Sequence, residues 1–404
     1  MRKRLIQILP FGIPPDLAVI AIAMFIWGLG EGLFIYFYPL SLQRWSMNPV
    51  QIGVVLSLIG VIMAVLQVPA GYLSDRFGTR PLIRAGTILG VVAALVMGFS
   101  TSKPVFVAAL MGYSLTSFIV APMNSYITSM RGSWSVQRAL TFIAACMQVG
   151  GIAGPILGGW IAETTSLTIV FRYSAGLFLA ATLVVFFARS PVLQDQPETH
   201  MHSLVNPLAN PRFIGLLVIV FFTIFALDIP TQLTSIYLQN IHQFTIQQIG
   251  ITGTIAGIGT AVIMLALGSL RAPAGMLAGQ LFVAVFSLFM WKGQNATAFY
   301  TGYLFSGGAR LYRSMTLAFA RPLVKASDIG FAYGLVETGN ALAIILAPLA
   351  AGFLYNTRPE AVFIAGLAAI AITIGLNLLL SYEKRRSIVQ AGVQINNRKN
   401  ARKL

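Results

Sequence analysis

Five charged residues stand inside long apolar runs. Glu31 lies in Gly28-Leu-Gly30-Glu31-Gly32, Asp228 lies just before Pro230, Arg310 and Arg313 follow Gly307-Gly308, and Glu337 sits in a run of small and apolar residues. If such runs cross a bilayer, each charge at mid-membrane costs at least about 2.5–3.5 kcal/mol. A partner or a water-filled cavity must offset that cost. Three acids and two bases together describe a polar cavity. An acid that accepts a proton loses its charge and can carry the proton with it, so Glu31, Asp228 and Glu337 are candidates for proton coupling. Arg310 and Arg313 are three residues apart and share a helical face. They could hold an anionic group of a substrate or neutralise Glu337. Tyr36, Tyr113, Asn124, Tyr126, Gln148, Gln232 and Asn340 lie in similar runs and would fill out the cavity.

Other chemistries lack their residues. Cys146 is the lone cysteine, and the three histidines are His200, His202 and His242. That supports neither a cysteine cluster nor a multi-histidine metal site. No catalytic His-Ser arrangement and no nucleotide-binding loop is visible. The expectation is a protein that is not an enzyme and uses no metal or cofactor.

The elements that position these residues follow from composition. Of 404 residues, 57% are hydrophobic and 9% charged, against about 25% charged in soluble domains. Mean hydropathy is +0.79. A bilayer-spanning helix needs about 20 apolar residues. Twelve runs qualify, near 16–40, 50–73, 81–101, 104–128, 136–162, 168–188, 212–240, 247–269, 272–290, 297–323, 328–356 and 359–382. They are continuous, unlike the alternating strands of a membrane barrel. The basic start followed by an apolar run could imitate a signal peptide, but the run continues past Trp27 without a small-residue cleavage site and reads as the first span.

Orientation follows from the basic residues. With the N-terminus inside, 20 of the 27 Lys and Arg fall on the inner side and five, Arg44, Lys103, Arg172, Lys292 and Arg358, on the outer. This excess places both termini in the cytoplasm. It also accounts for most of the net charge of +16 without a nucleic-acid partner. The Lys/Arg-rich tail would meet anionic lipid headgroups. Asn295-Ala-Thr297 fits a glycosylation pattern on the outer side.

The chain repeats itself. Asn48-Pro-Val-Gln-Ile-Gly53 opens span 2 and Thr245-Ile-Gln-Gln-Ile-Gly250 opens span 8, an offset of 197 residues. Gly71, Leu73 and Gly78 match Gly268, Leu270 and Gly275 at that offset, and so does Glu31 with Asp228. Gly154-Pro155 through Gly159 matches Ala347-Pro348 through Gly352 at offset 193. The repeat predicts two six-helix halves of like topology, residues 1–188 and 212–382, with a linker at 189–211 and a basic tail at 383–404. Parallel halves of this kind place a substrate site between them near the midplane.

Between spans 2 and 3 runs Gly71-Tyr-Leu-Ser-Asp75-Arg76-Phe-Gly78-Thr-Arg80. Read physically, a helix ends, the chain turns tightly at Gly78 and charges stay at the membrane surface. This run resembles the signature loop of the major facilitator superfamily, with a single Arg80 where two basic residues often stand. The twelve spans and duplicated halves extend the resemblance over the whole chain. It implies an all-α fold with spans 1, 4, 7 and 10 lining a central cavity, and a cytoplasmic latch between the halves. Carried over, Asp75 would face the start of span 11, capped by Ser327 or Asp328, with Arg131 as a cationic partner. Ala272-Pro273 replaces the Asp-Arg pair in the second half, so the latch should be one-sided.

Gly150, Gly154 and Gly158 share one face of span 5, where they permit close helix contact; Pro155 removes a backbone donor, and Gly159 completes the run. This segment resembles the antiporter motif of proton-coupled drug exporters. Span 4, Met111 to Tyr126, lacks the arginine that many of those proteins carry. The reading is a secondary transporter in the cell membrane, monomeric, moving a small organic molecule by alternating access, with proton-coupled export leading. The alternatives are an uptake symporter or facilitator for a sugar, organic acid or similar solute, and a transporter-like receptor or lipid handler.

Overall fold

The computed structural model describes residues 13–187, 210–324 and 329–378. The expected linker and basic tail lie almost wholly outside these residues. Every regular element among them is helical. That is what lipid demands of an open chain, since a helix satisfies its own backbone groups.

Eight spans are single helices. Span 2 is Pro49–Phe77, span 3 Thr79–Phe99, span 5 Val136–Thr164, span 6 Leu167–Phe186, span 8 Ile246–Leu267, span 9 Ala272–Lys292, span 11 Ile329–Thr357 and span 12 Ala361–Leu378. The other four are broken. Span 1 runs Pro15–Ile35 and resumes at Tyr38–Arg44, and span 7 runs Pro211–Asp228 and resumes at Thr234–His242 after a tight turn at Ile229–Thr231. Span 4 joins Lys103–Ser114 to Val120–Met130 through a 3-10 stretch at Leu115–Ile119, and span 10 joins Ala296–Phe305 to Gly308–Ala320. Eleven helices among the described residues are long and apolar enough to cross a membrane. Span 10 is the twelfth crossing, shortened by its break and carrying two arginines.

Local chemistry sets the helix starts. Asn48 and Gln51 exchange backbone-to-side-chain bonds of 3.1 and 2.9 Å at the head of span 2. Thr245 and Gln248 do the same at the head of span 8. The repeated sequence motif is therefore a repeated capping box, which satisfies amides that a helix start leaves free. Gly78, at the head of span 3, has φ +81°. This left-handed conformation favours glycine and makes the tight turn.

Two six-helix bundles result. In the first, span 1 packs on spans 5 and 6, and span 3 on span 6; in the second, span 9 packs on span 10 and span 7 on span 11. Spans 1 and 5 touch backbone to backbone. A Cβ on Gly154 would lie 2.5 Å from Gly32 Cα and 2.8 Å from Leu29 O, and one on Gly150 would lie 2.7 Å from Leu29 N. Gly158 stands equally close to Leu33. The cores differ in character. The first is aromatic, with Trp27 and Phe178 stacked at 4.3 Å and Tyr113 and Phe178 at 5.6 Å. The second holds a buried polar chain. Gln280 donates to Thr373 at 3.1 Å, Asn377 donates to Thr223 at 3.1 Å, and Tyr312 donates to Asn377 at 3.2 Å.

Between the bundles, span 2 meets span 11 and span 5 meets span 8. The close approaches cluster at one end. Gly352 faces Pro49 and Val50, and Gly159 faces Ile246, Gln247 and Gly250. Toward the opposite end Val262 and Leu265 of span 8 are exposed.

Candidate functional site

A cavity of about 480 Å³ lies between the bundles. The broken spans 1, 7 and 10 supply much of its wall, through Tyr36, Tyr38, Asp228, Gln232, Arg310 and Arg313; spans 5 and 8 add Gln148, Thr252 and Thr260. Breaks expose backbone and turn side chains toward water, which lipid tolerates only where a cavity receives them. Asp228 ends the first helix of span 7 with Pro230 in the turn behind it. Arg310 and Arg313 begin the second helix of span 10, just past Gly307.

The charges form two unlike groups. Arg313 makes an ion pair with Glu337 of span 11, and Asp228 stands within its field. Both members of the pair are more than a third exposed. Arg313 lines the cavity, and Glu337 stands behind it on span 11. Arg310 has a neutral partner, donating from Nη1 to Gln148 Oε1 at 3.2 Å across the two halves, with Tyr36 nearby. The two arginines share a face and the cavity but not their partners.

Glu31 and Asp228, equivalent in the repeat, are placed differently. Asp228 lines the cavity. Glu31 sits beside Tyr38 and Tyr113, off the cavity lining, at the edge of the aromatic core. Tyr38, which lines the cavity, lies within the field of Glu31. Tyr113 belongs to that core, 6% exposed. Tyr126 is buried near Asp16 and Arg80, and Asn124 is exposed on span 4 outside the lining. Asn340 is fully buried, with neither amide atom hydrogen-bonded. Helix rotation decides these placements, and apolar neighbours on every side leave no sequence trace of it.

The latch residues are partly described. Gly71 and Asp75 have no described side-chain environment, and Asp328 and Ser327 lie outside the described residues. Arg76 lies 5.5 Å from the Phe77 ring centroid, Arg80 and Arg84 donate to Phe186 O at 3.4 and 3.2 Å, and Arg131 donates to Trp134 O at 2.9 Å.

At the closed end the structure brings forward residues that the sequence did not single out. Glu163 Oε2, at the end of span 5, accepts from Ile246 N at 2.9 Å and Gln247 N at 3.4 Å. A carboxylate thus caps the positive end of span 8 across the halves. Thr254 of span 8 donates to Ile152 O at 2.8 Å and accepts from Ile156 N at 3.2 Å. These are the donor and acceptor of one helix step in span 5, so the threonine hydroxyl bonds to both beside Pro155, where the proline ring removes one donor. Glu163 carried a faint signal as one of 11 acidic residues; Thr254 carried none.

The comparisons agree with this architecture. The profile of the Major Facilitator Superfamily matches residues 20–275 and 216–399. Multidrug resistance protein 1 of Bacillus subtilis (strain 168) is 22% identical over 378 residues, covering 90% of this chain and 95% of that protein. Multidrug resistance protein 2 of the same organism is 22% identical over 382 residues, covering 90% and 94%. Among solved structures, the nucleoside transporter NupG superposes with a TM-score of 0.74 at 13% identity, over 91% of this chain and 98% of that one. A bacterial homologue of the human lysosomal transporter Spinster, in an inward-facing and occupied conformation, gives 0.70 at 13% identity over 91% and 96%. Matched by the family profile over most of its length, this multi-pass cell-membrane protein belongs to the Major Facilitator Superfamily of transporters.

Proposed function

We propose that this transporter exports a small organic molecule in exchange for protons, as a monomer, with both termini in the cytoplasm. The observation that carries the reading is the cavity itself: Asp228 faces it beside Arg313, whose other partner is Glu337. An acid there can hold either a proton or a charge partner as the cavity changes sides. Glu31, near Tyr38 and off the cavity lining, is a second coupling candidate. The basic residues put the closed end outside, so the cavity opens to the cytoplasm and is poised to take cargo from within. Gln232, Tyr36 and Gln148 supply orienting contacts, and Arg310 supplies a positive one. The relatives named for multidrug resistance support export. The latch of Asp75, Arg76, Gly78, Arg80, Arg131 and Asp328 would close the cytoplasmic side in the alternate state. Gly150, Gly154 and Gly158 let span 1 ride on span 5, while Pro155 and Gly159 meet Gly250 of span 8.

The test uses inverted membrane vesicles with an inside-acid gradient and a pH-reporting dye. Cationic drugs, neutral antibiotics, sugars and organic acids are added singly. One class should dissipate the gradient with the native chain and not with Asp228→Asn. If none does, while labelled sugars or acids accumulate in right-side-out vesicles, the uptake reading replaces this one.

A further inference from the structure

The second helix of span 1 carries a small polar pocket that the transport cavity does not use. About 200 Å³ in volume, it lies at the closed end of the first bundle among Ser41, Arg44, Ser100, Phe106, Thr168 and Phe171. Its aromatic wall is continuous, with Trp45 and Phe106 at 5.9 Å and Phe106 and Phe171 at 5.5 Å.

Three independent features give this pocket one chemistry. Ser41 is 4% exposed and its hydroxyl has no hydrogen-bond partner. Helical serines usually donate to the carbonyl one turn back, as Ser114, Ser174 and Ser287 do here. Ser41 does not, and a buried hydroxyl without a partner is costly. Arg44, three residues on, presents an exposed guanidinium that among the described residues has no carboxylate partner. Span 6 starts at Leu167 and runs for 20 residues. Its first turn, Leu167 and Thr168, lines the pocket. Ser166 already takes the amide of Ile169, and the positive helix end with the amides of Leu167 and Thr168 favours an anion. A donor, a fixed positive charge and a helix N-terminus converge on one small volume.

We propose that this pocket binds a phosphate group, with Arg44 and the head of span 6 supplying charge and Ser41 a hydrogen bond. A phospholipid headgroup at the membrane surface and free phosphate share this chemistry. The site hangs on Tyr38–Arg44, the helix beyond the break in span 1. The start of that helix, Tyr38 and Pro39, lines the transport cavity, and it touches the second helix of span 7. Occupancy would tie this helix to spans 3 and 6, which supply Ser100, Thr168 and Phe171.

Trp45 at the pocket's rim reports on it. The emission of the purified full-length chain, less that of its Trp45→Phe variant, is followed at constant ionic strength. Inorganic phosphate and the short-chain lipid dihexanoyl phosphatidylglycerol are titrated separately. A saturable change is expected, with half-saturation raised about tenfold or more by Arg44→Gln, less by Arg44→Lys, since a charge-assisted bond is lost in the first and kept in part in the second. Ser41→Ala should also raise it. A response to phosphate identifies the free ion as sufficient; a response to the lipid alone identifies the headgroup. No saturable change with either probe overturns the proposal, as does equal half-saturation in Arg44→Gln and the native chain. Arg44 is exposed, so its variants should keep the native elution profile and melting temperature; Ser41→Ala provides the second reading if they do not.

Discussion

Replacing Thr254 by valine should loosen the closed end of the cavity. The hydroxyl makes two hydrogen bonds to the other half, at 2.8 Å to Ile152 O and 3.2 Å from Ile156 N. Each is worth about 0.5–1.5 kcal/mol net. Valine keeps the shape and removes both. Ile152 and Ile156 keep each other as the helix partners of one step in span 5, which offsets part of the loss. About 1 kcal/mol of bias toward the closed arrangement is lost, a change of about fivefold in its equilibrium with the parted one. The assay places a single cysteine at Ser235, which lines the cavity and is 6% exposed, in a chain where Cys146, the one native cysteine, is changed to serine. A membrane-impermeant maleimide is added from the closed side. Its labelling rate follows the population of the parted state and should rise about fivefold with Thr254→Val. Thr254→Ser should restore the native rate. An unchanged rate in Thr254→Val, or an equal rise in Thr254→Ser, refutes the argument that this hydroxyl holds the halves together.

Gly154→Leu should abolish folded protein on size-exclusion chromatography, because its Cβ alone would meet the backbone of Gly32 and Leu29 at 2.5–2.8 Å; Gly176→Ala, with nothing within 4 Å of the new atom, should elute normally. Asn377→Leu leaves the Tyr312 hydroxyl without its acceptor in a buried place, so thermal unfolding should show a loss of about 1–3 kcal/mol. An unchanged melting temperature would remove that network from the account of how spans 7, 10 and 12 are held.

Parts of the site were legible because their cause is local. The glycines at 150, 154 and 158 recur every four residues, so one face of span 5 had to be bare, and span 1 lies on it. The repeat at Asn48 and Thr245 marked the heads of two equivalent helices, since a capping box acts within four residues. Spans 7 and 10 read as continuous runs in the sequence, and the structure breaks them beside Pro230 and at Ser306-Gly307. The break at Tyr36–Phe37 and the 3-10 stretch at Leu115–Ile119 stand just before Pro39 and Pro122, each of which lacks the amide that would continue the helix ladder. Glu31 and Asp228 hold the same place in the repeat yet lie in different surroundings, one against aromatic rings and the other on the cavity.

Composition and hydropathy alone determined that the chain lives in a bilayer as about twelve helices in two related halves, because water and lipid sort residues by polarity before any fold exists. The sequence also placed five charges at membrane depth. Only the tertiary structure decided that Arg313 takes Glu337, that Arg310 takes Gln148, that Tyr126 and Asn340 turn into helix packing, and that Thr254 bonds to the backbone of span 5. Those pairings depend on how each helix is rotated and where it crosses helices far away in the chain. In a membrane protein both the lipid face and the core face are apolar, so the periodicity that would reveal rotation in a soluble helix is nearly absent.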